Sequence, residues 1–231
     1  MMRIRPFFLA LLTLCFSVFS LQASAADLHR ANPQVEFVTN EGSFIVELYP
    51  DKAPQTVANF MQYVSSGYYQ GTTFHRTIER FMIQGGGMDE NLAEKPTLAP
   101  IPNESNNGLR NEPGTLAMAR AYAPDSATSQ FFINMTDNKF LNYYKPDPAY
   151  VGYAVFGRVI RGMDTVERIS KSPTHKMGMH QNVPIEPIVI ERVAVLDQPV
   201  IADASASLPA GKVSEKAATP KKSSTKGKKR D

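Results

Sequence analysis

The chain has 231 residues, of which 42% are hydrophobic and 20% charged. This composition excludes a wholly disordered chain and limits the protein to one folded domain, or at most two. The formal net charge of +3 is unevenly spread, since residues 26–200 carry 15 basic and 19 acidic residues while residues 201–231 carry eight basic and three acidic ones. The charge pattern therefore argues against a uniformly basic nucleic-acid-binding domain.

The first 25 residues have the three parts of an export signal. Arg3 and Arg5 give a positive start, Phe7–Leu21 is an apolar run, and Ala23–Ala25 has the small-x-small pattern of a signal-peptidase site. A spanning helix needs about 20 apolar residues, and this run is shorter. We therefore predict a cleaved signal peptide at residues 1–25 and an exported protein, with an uncleaved membrane anchor as the alternative.

Cysteine chemistry is confined to that segment. Cys15 is the only cysteine of the chain, and Leu14 before it is bulkier than lipoprotein processing prefers. After cleavage the protein would have no disulfide, no thiol nucleophile and no thiolate metal site, so packing alone must stabilise it.

The segment that follows predicts many short strands and two helices. Val35–Thr39 and Ser43–Leu48 have strand character and are separated by Asn40-Glu41-Gly42, which indicates a hairpin with Gly42 as the turn residue. Pro54 begins a segment of helical periodicity that ends at Gly67. Further strands are predicted at Thr72–Ile78, Phe81–Gln84, Thr115–Ala119, Gln130–Met135, Tyr153–Val159 and Ile188–Leu196, and a second short helix at Met163–Ile169. This order favours a closed barrel or a sandwich over an alternating β-α-β fold.

The C-terminal tail has a different composition. From about Ile201 it is rich in Ser, Ala, Pro, Lys and Gly, lacks aromatic residues and ends in a basic run. Such a segment buries too little apolar surface to offset the entropy of ordering, so we predict a disordered basic tail at residues 199–231. The alternative is an electrostatic tether to an anionic surface, such as phospholipid or an envelope polymer, without specific recognition of nucleic acid.

Two predicted strands place amides and apolar side chains on the same face. By alternation Met82 and Gln84 point away from Ile83, and Gln130 and Phe132 likewise share one face of their strand. An apolar residue flanked by amides on an outward face is typical of a partly exposed groove. The other interpretation is that both faces are covered, with the glutamine amides bonded to backbone.

No motif for a metal or a cofactor is found. The run Gly85–Gly87 lacks the Lys-Ser/Thr of a phosphate-binding loop, so we predict a tight turn or a close backbone approach there. His175 and His180 stand five apart in a loop that contains Pro and Gly, without the spacing of a ligand pair, and are predicted to be solvated.

Four ordered segments carry a family resemblance. Phe74–Gly86 (FHRTIERFMIQGG) resembles the signature of the cyclophilins, and Thr115–Arg120, Ser129–Ile133 and Tyr153–Val159 resemble three further cyclophilin segments in the same order. The resemblance extends from about Gln34 to Leu196. It implies an eight-stranded antiparallel closed barrel capped by two α-helices. The cyclophilin-like isomerase domain would span residues 34–198, after a short extension at residues 26–33. The implied activity is peptidyl-prolyl cis–trans isomerisation. With the export signal, the chain looks most like the bacterial periplasmic branch.

The resemblance also assigns roles to particular residues. Arg76 matches the catalytic arginine, and Gln84 matches an amide that binds substrate backbone beside it. The proline ring would enter a hydrophobic pocket of Phe81, Met82, Phe132 and Leu141, whereas Ala119, Arg120 and Gln130 would bind the residues that precede proline, Arg120 chiefly through its backbone. Two substrate-binding positions depart from the cytosolic pattern. Phe140 stands where many members have Trp, and because the indole donor is lost we do not expect tight binding of cyclosporin. Tyr153 stands where many members have His.

The implied reaction needs few groups. Isomerisation breaks no bond, so it requires no nucleophile, metal or cofactor, and an arginine guanidinium that stays charged can stabilise the twisted imide. The expected substrates are proline-containing segments of exported proteins during folding, and the expected oligomeric state is a monomer. Three alternatives stay open: a binding module that uses the same groove without turnover, a structural ion pair between Arg76 and an acid such as Glu79, and a basic tail that is the functional part with the barrel as its carrier.

Overall fold

The computed structural model describes residues 32–203. The strands are β1 (Gln34–Thr39), β2 (Gly42–Leu48), β3 (Arg76–Ile78), β4 (Met82–Gly85), β5 (Thr115–Met118), β6 (Phe131–Asn134), β7 (Val155–Arg161), β8 (Thr174–Met177), β9 (His180–Pro184) and β10 (Ile190–Val195). The helices are α1 (Pro54–Ser65) and α2 (Met163–Ser170), and a short 3-10 helix spans Lys139–Leu141. The mostly β architecture with two helices agrees with the sequence analysis.

Eight strands form one antiparallel sheet in the order β10-β1-β2-β7-β5-β6-β4-β3. The predicted full closure is wrong, because β3 and β10 at the two ends share no ladder and the sheet is a half-barrel. β3 has only three residues, and the chain before it meets β10 through an isolated bridge between Thr73 and Val189. Hydrogen bonds from Phe74 N to Ile188 O (2.9 Å) and from Ile190 N to Thr72 O (2.7 Å) flank this bridge.

The main core packs one face of the sheet against α1 and α2. Phe37 and Phe44 stack at 4.8 Å, and Phe60 of α1 meets Phe131 of β6 edge-on at 6.0 Å. Because Ala53 offers no cap, the loop residue Glu104 accepts hydrogen bonds from the amides of the first turn of α1, which satisfies donors that a helix start leaves unpaired.

A second, smaller apolar cluster lies on the opposite face of the same strands. Ile83, Phe131 and Ile133 point into the main core, whereas Met82 and Phe132 alternate with them and pack in the second cluster. The buried members of this second cluster are Met82, Ala117, Phe132, Leu141 and Val155. Both faces of β4 and β6 are therefore covered, which agrees with the covered-face interpretation for the apolar residues.

The region between α2 and β10 differs from the prediction. Residues 174–184 form the hairpin β8–β9, and His175 and His180 lie on its strands rather than in a loop. Every residue of β8 is exposed, so the segment lacks the apolar alternation by which a strand is recognised. Smaller differences occur at the first hairpin, where Asn40 and Glu41 form the loop and Gly42 begins β2.

The described range excludes both termini. The predicted signal peptide and all of the tail beyond residue 203 lie outside it. No helix within residues 32–203 is long and apolar enough to cross a bilayer. In the same range no group of three or more His, Cys, Asp or Glu residues is placed to hold a metal ion.

Candidate active site

The pairing of β3, β4 and β6 places a cation, an amide and an aromatic ring in one row. Arg76 pairs directly with Gln84, and Gln84 pairs with Phe132. Directly paired residues of antiparallel strands point to the same side of the sheet, so these side chains share the face of the second cluster. Ala117 of β5 pairs with Phe132 and extends the row.

A short chain of hydrogen bonds leads away from the guanidinium. Arg76 Nη1 donates to Gln84 Oε1 at 3.4 Å, and Gln84 Nε2 donates to Gln130 Oε1 at 2.9 Å. The glutamine amides therefore bond to each other and to the arginine, not to backbone as the alternative interpretation proposed. Gly87 makes room for this arrangement, because a Cβ there would lie 2.3 Å from Gln130 Cγ. The close backbone approach predicted for the glycine run is found at Gly85, where a Cβ would lie 2.7 Å from Thr73 O.

No carboxylate neutralises the Arg76 guanidinium among residues 32–203. The ion pairs in this range involve other arginines and lysines, and Glu79 belongs to none of them. The structural ion pair considered for Arg76 is therefore not found in the described part of the chain. The half-buried Arg76 guanidinium makes one long side-chain hydrogen bond, so it has N–H donors left for another acceptor.

The residues predicted to hold a proline ring come together beside Arg76. Met82, Phe132 and Leu141 are buried in the second cluster, and Phe81 packs against it. Phe140 is exposed at the mouth and stacks on Phe81, with ring centroids 5.7 Å apart. Tyr153 stands edge-on to Phe132 at 5.6 Å and closes the other side. The arrangement is an apolar cluster next to a cation, and the surface formed by Phe81, Met82, Phe132 and Leu141 is called the slot below.

The rim residues lie next to this slot. Ala119 N donates to Gln130 O at 3.0 Å, which joins two of the predicted positions. The Arg120 side chain is occupied, since Nε donates to Gly152 O at 2.9 Å and Cζ lies 4.8 Å from the centre of the Tyr153 ring. An occupied side chain is consistent with the expectation that Arg120 would meet a substrate through its backbone.

A buried asparagine network that the sequence did not predict lies behind the slot. Asn138 Nδ2 donates to Asn134 Oδ1 at 2.7 Å and to Phe81 O at 2.9 Å, and Asn134 Nδ2 donates to Asn111 Oδ1 at 3.1 Å. Asn111 Nδ2 in turn donates to Leu141 O at 3.0 Å. The network fixes the backbone of two slot residues. Its only sequence signal is an excess of Asn near the slot segments.

His75 is a buried titratable residue next to Arg76. It precedes Arg76 in sequence and is almost fully buried. Burial first, and then the charges of His180 and Arg76, lower the pKa of His75 from its ordinary 6.5 to about 4. The imidazole is therefore neutral at pH 7 and adds no second charge beside the arginine.

Comparisons with known proteins agree with this geometry. The family model described as cyclophilin type peptidyl-prolyl cis-trans isomerase matches residues 34–195. A peptidyl-prolyl cis-trans isomerase of Acinetobacter baylyi is 56% identical over 165 residues, which cover 71% of this chain and 86% of that protein. Peptidyl-prolyl cis-trans isomerase B of Escherichia coli is 52% identical over 161 residues, which cover 70% and 98% of the two chains.

A solved structure shows the same fold. The cyclophilin type isomerase of Cryptosporidium parvum, crystallised in the presence of the dipeptide Ala-Pro, superposes with a TM-score of 0.59 at 28% identity, covering 71% of this chain and 99% of that one. The family match spans more than half of the chain and includes the strands that build the slot. The protein therefore belongs to the cyclophilin family and is a peptidyl-prolyl cis–trans isomerase, which acts on proline-containing peptides.

Proposed function

We propose that this isomerase accelerates the folding of exported proteins by twisting their X–Pro bonds, with Arg76 as the catalytic residue. The observation that carries the assignment of the site is the position of the Arg76 guanidinium, which stands beside the apolar slot without a carboxylate partner among the described residues. A positive charge in such a place is suited to stabilising an electron pair that becomes available only during the reaction.

The chemistry follows from the electronic structure of the imide. The prolyl nitrogen shares its lone pair with the carbonyl carbon, which makes the barrier to rotation about 20 kcal/mol. As the bond twists, the nitrogen becomes pyramidal and recovers the lone pair. A guanidinium fixed near that nitrogen donates to it in the twisted state and not in the planar one, so it lowers the barrier selectively.

The slot supplies the second requirement, which is that one end of the bond stays still. The walls of Met82, Phe132 and Leu141 would hold the proline ring while the preceding carbonyl rotates. Gln84 and Gln130 would bind the peptide backbone on the side of Arg76. An apolar wall also favours the twisted bond, because loss of amide resonance reduces charge separation.

The cellular setting is proposed from the sequence. The signal-like segment at residues 1–25 supports export, and the resemblance to bacterial periplasmic members supports the periplasm as the destination. There, slow X–Pro isomerisation, which takes roughly 10–100 s uncatalysed, delays folding.

We also propose that the protein is a monomer and that the basic tail at residues 199–231 holds it loosely on an anionic surface. A tail-deleted protein would then distribute to anionic vesicles less than the full chain at low salt, and an equal distribution of the two would contradict the tether.

The decisive experiment separates catalysis from binding. Arg76→Ala should lower kcat/KM for an X–Pro peptide about 30- to 1,000-fold, a loss of roughly 2–4 kcal/mol of barrier reduction, and leave the Kd for the peptide nearly unchanged. Arg192→Ala is the matched control, because Arg192 pairs with Glu36 on the far edge of the sheet. Activity of Arg76→Ala near that of the control would show that the groove binds without needing the arginine, as in the alternative of a binding module.

A further inference from the structure

A second cleft lies next to the proline slot. It has a volume of about 860 Å³ and lies between residues 120–122 on one side and 139–153 on the other. Phe140, Leu141 and Tyr153 line it and also belong to or pack against the slot residues, so the cleft and the slot share a wall. A polypeptide whose proline sits in the slot would pass along this wall.

The cleft holds all the exposed aromatic side chains of residues 32–203. Tyr122 is 79% exposed, Phe140 74%, Tyr144 78% and Tyr150 49%, and each of the four lines the cleft. The other aromatic residues of the described part are buried or half-buried. Scattered exposed apolar residues need no explanation, but a group confined to one depression is typical of a recognition surface.

The loop that carries two of these rings is ordered by its own hydrogen bonds. Tyr144 N donates to Tyr150 O at 3.0 Å, and Tyr153 N donates to Leu141 O at 2.9 Å, which closes the loop at its base. Gly152 has a φ of 70°, and a Cβ there would lie 2.6 Å from the backbone of Leu141 and Asn142. The rings are thus presented on a fixed scaffold, which reduces the entropy lost on binding.

Arg120 joins the two sides of the cleft. Its Nη1 donates to Ala121 O and to Tyr122 O, both at 3.0 Å, while Nε holds Gly152 O. The segment that carries Tyr122 is therefore tied to the loop opposite. Lys145 Nζ lies 4.4 Å from the centre of the Tyr150 ring, so a cation already covers part of that ring.

We propose that this cleft is a second substrate subsite, which binds an aromatic side chain of the client polypeptide a few residues from the isomerised proline. The inference rests on the proposed function, because it needs the proline to occupy the slot. An aromatic residue is the occupant that fits best: the walls are flat rings in a shallow, open cleft, where a planar side chain can make stacked or edge-on contacts. Three of the four exposed rings are tyrosines, a residue type enriched in protein recognition surfaces.

The test compares peptides that differ at one position. A series of otherwise alanine-based X–Pro peptides carries a single Phe at each position two to four residues before or after the proline, and kcat/KM is measured by NMR exchange with the full-length protein. We expect Phe in one register to raise kcat/KM about fivefold over Ala, a gain typical of one aromatic contact. Leu in that register should give less than half of the gain, and an equal gain from Leu would overturn the assignment to aromatic residues.

Variants of Tyr150 test whether the increase in kcat/KM with Phe arises in the cleft. Tyr150→Ala should reduce the Phe-to-Ala ratio to near one, whereas Tyr150→Phe, which keeps the ring, should preserve it. Met179→Ala is the matched control, since Met179 is an exposed apolar residue in the turn between β8 and β9 and does not line the cleft. A ratio unchanged in Tyr150→Ala, or no register with a gain, would overturn the subsite while turnover of the alanine peptide upholds the proposed function. Absence of turnover with every peptide would overturn the proposed function and the subsite together.

Discussion

Arg76 and Gln84 occupy directly paired positions on β3 and β4, and the amide oxygen of Gln84 accepts a hydrogen bond from the guanidinium at 3.4 Å. Gln84 is in turn held by Gln130 at 2.9 Å. The orientation of the charged group toward the slot thus depends on two neutral amides. Several consequences of this arrangement can be measured.

Removal of the first amide should reduce activity without unfolding the protein. Gln84→Ala deletes the acceptor of the Arg76 guanidinium, and one lost hydrogen bond at the site corresponds to about a five- to tenfold decrease in kcat/KM. Gln84 is half-buried at the surface of its strand, so the thermal midpoint should change little. Gln62→Ala on the exposed side of α1 is the control, and equal activity of the two variants would exclude a positioning role for Gln84.

A methyl group at Gly87 should displace one of these two amides directly. In Gly87→Ala the new Cβ would lie 2.3 Å from Gln130 Cγ and 2.7 Å from its Nε2, so the Gln130 side chain must move. We expect kcat/KM to fall about five- to tenfold, because Gln84 loses its partner. The effect should disappear in the Gln130→Ala background, where nothing obstructs the methyl group; a further loss in the double variant would place the cause elsewhere.

The asparagine network should contribute strongly to stability. Asn134→Ala removes the acceptor of Asn138 and the partner of Asn111, and leaves buried polar groups without hydrogen bonds. The expected cost is about 2–4 kcal/mol in the free energy of unfolding, measured by urea denaturation. Asn106 is exposed, so Asn106→Ala should be nearly neutral. A small change in Asn134→Ala would mean that the network is replaced by other contacts.

Stability should decrease in mild acid because of His75. Burial and the neighbouring charges of His180 and Arg76 lower the pKa of His75 in the folded protein to about 4, against an ordinary value of 6.5. The unfolded chain then binds the proton more readily, so the stabilisation is complete above the ordinary pKa and is lost as the pH falls toward the folded value. Between about pH 7 and about pH 5 the free energy of unfolding should fall by about 2 kcal/mol from this residue alone.

The contribution of His75 can be separated from that of the other acids and histidines. His75→Gln should show a shallower decrease of unfolding free energy over that pH interval, even if it is less stable at neutral pH. His175→Gln, at an exposed position on β8, should keep the slope of the parent protein. Identical slopes for the parent and His75→Gln would contradict the assignment.

Much of the fold could be read from local patterns in the sequence. Alternation of side chains predicted that Ile83 and Met82 lie on opposite faces, and they pack in different clusters. Turn residues and helical periodicity predicted the first hairpin and α1 to within two residues. The ordered motifs around Arg76 and Phe132 indicated the family, which the comparisons confirmed. These features depend on residues close together in the chain, whose conformational preferences the sequence states directly.

The remaining features depend on contacts between distant segments. The half-barrel follows from the missing ladder between the end strands β3 and β10, and the hairpin β8–β9 has no apolar alternation to indicate it. Three features arise only when strand register brings separate segments together. They are the approach of Arg76 to Gln84 and Gln130, the asparagine hydrogen bonds behind Phe81, and the aromatic cleft around Tyr122 and Tyr150. The sequence by itself determined which side chains are present and which face of a strand each takes; only the tertiary structure decided which of them meet, because register is set by pairing across the whole sheet.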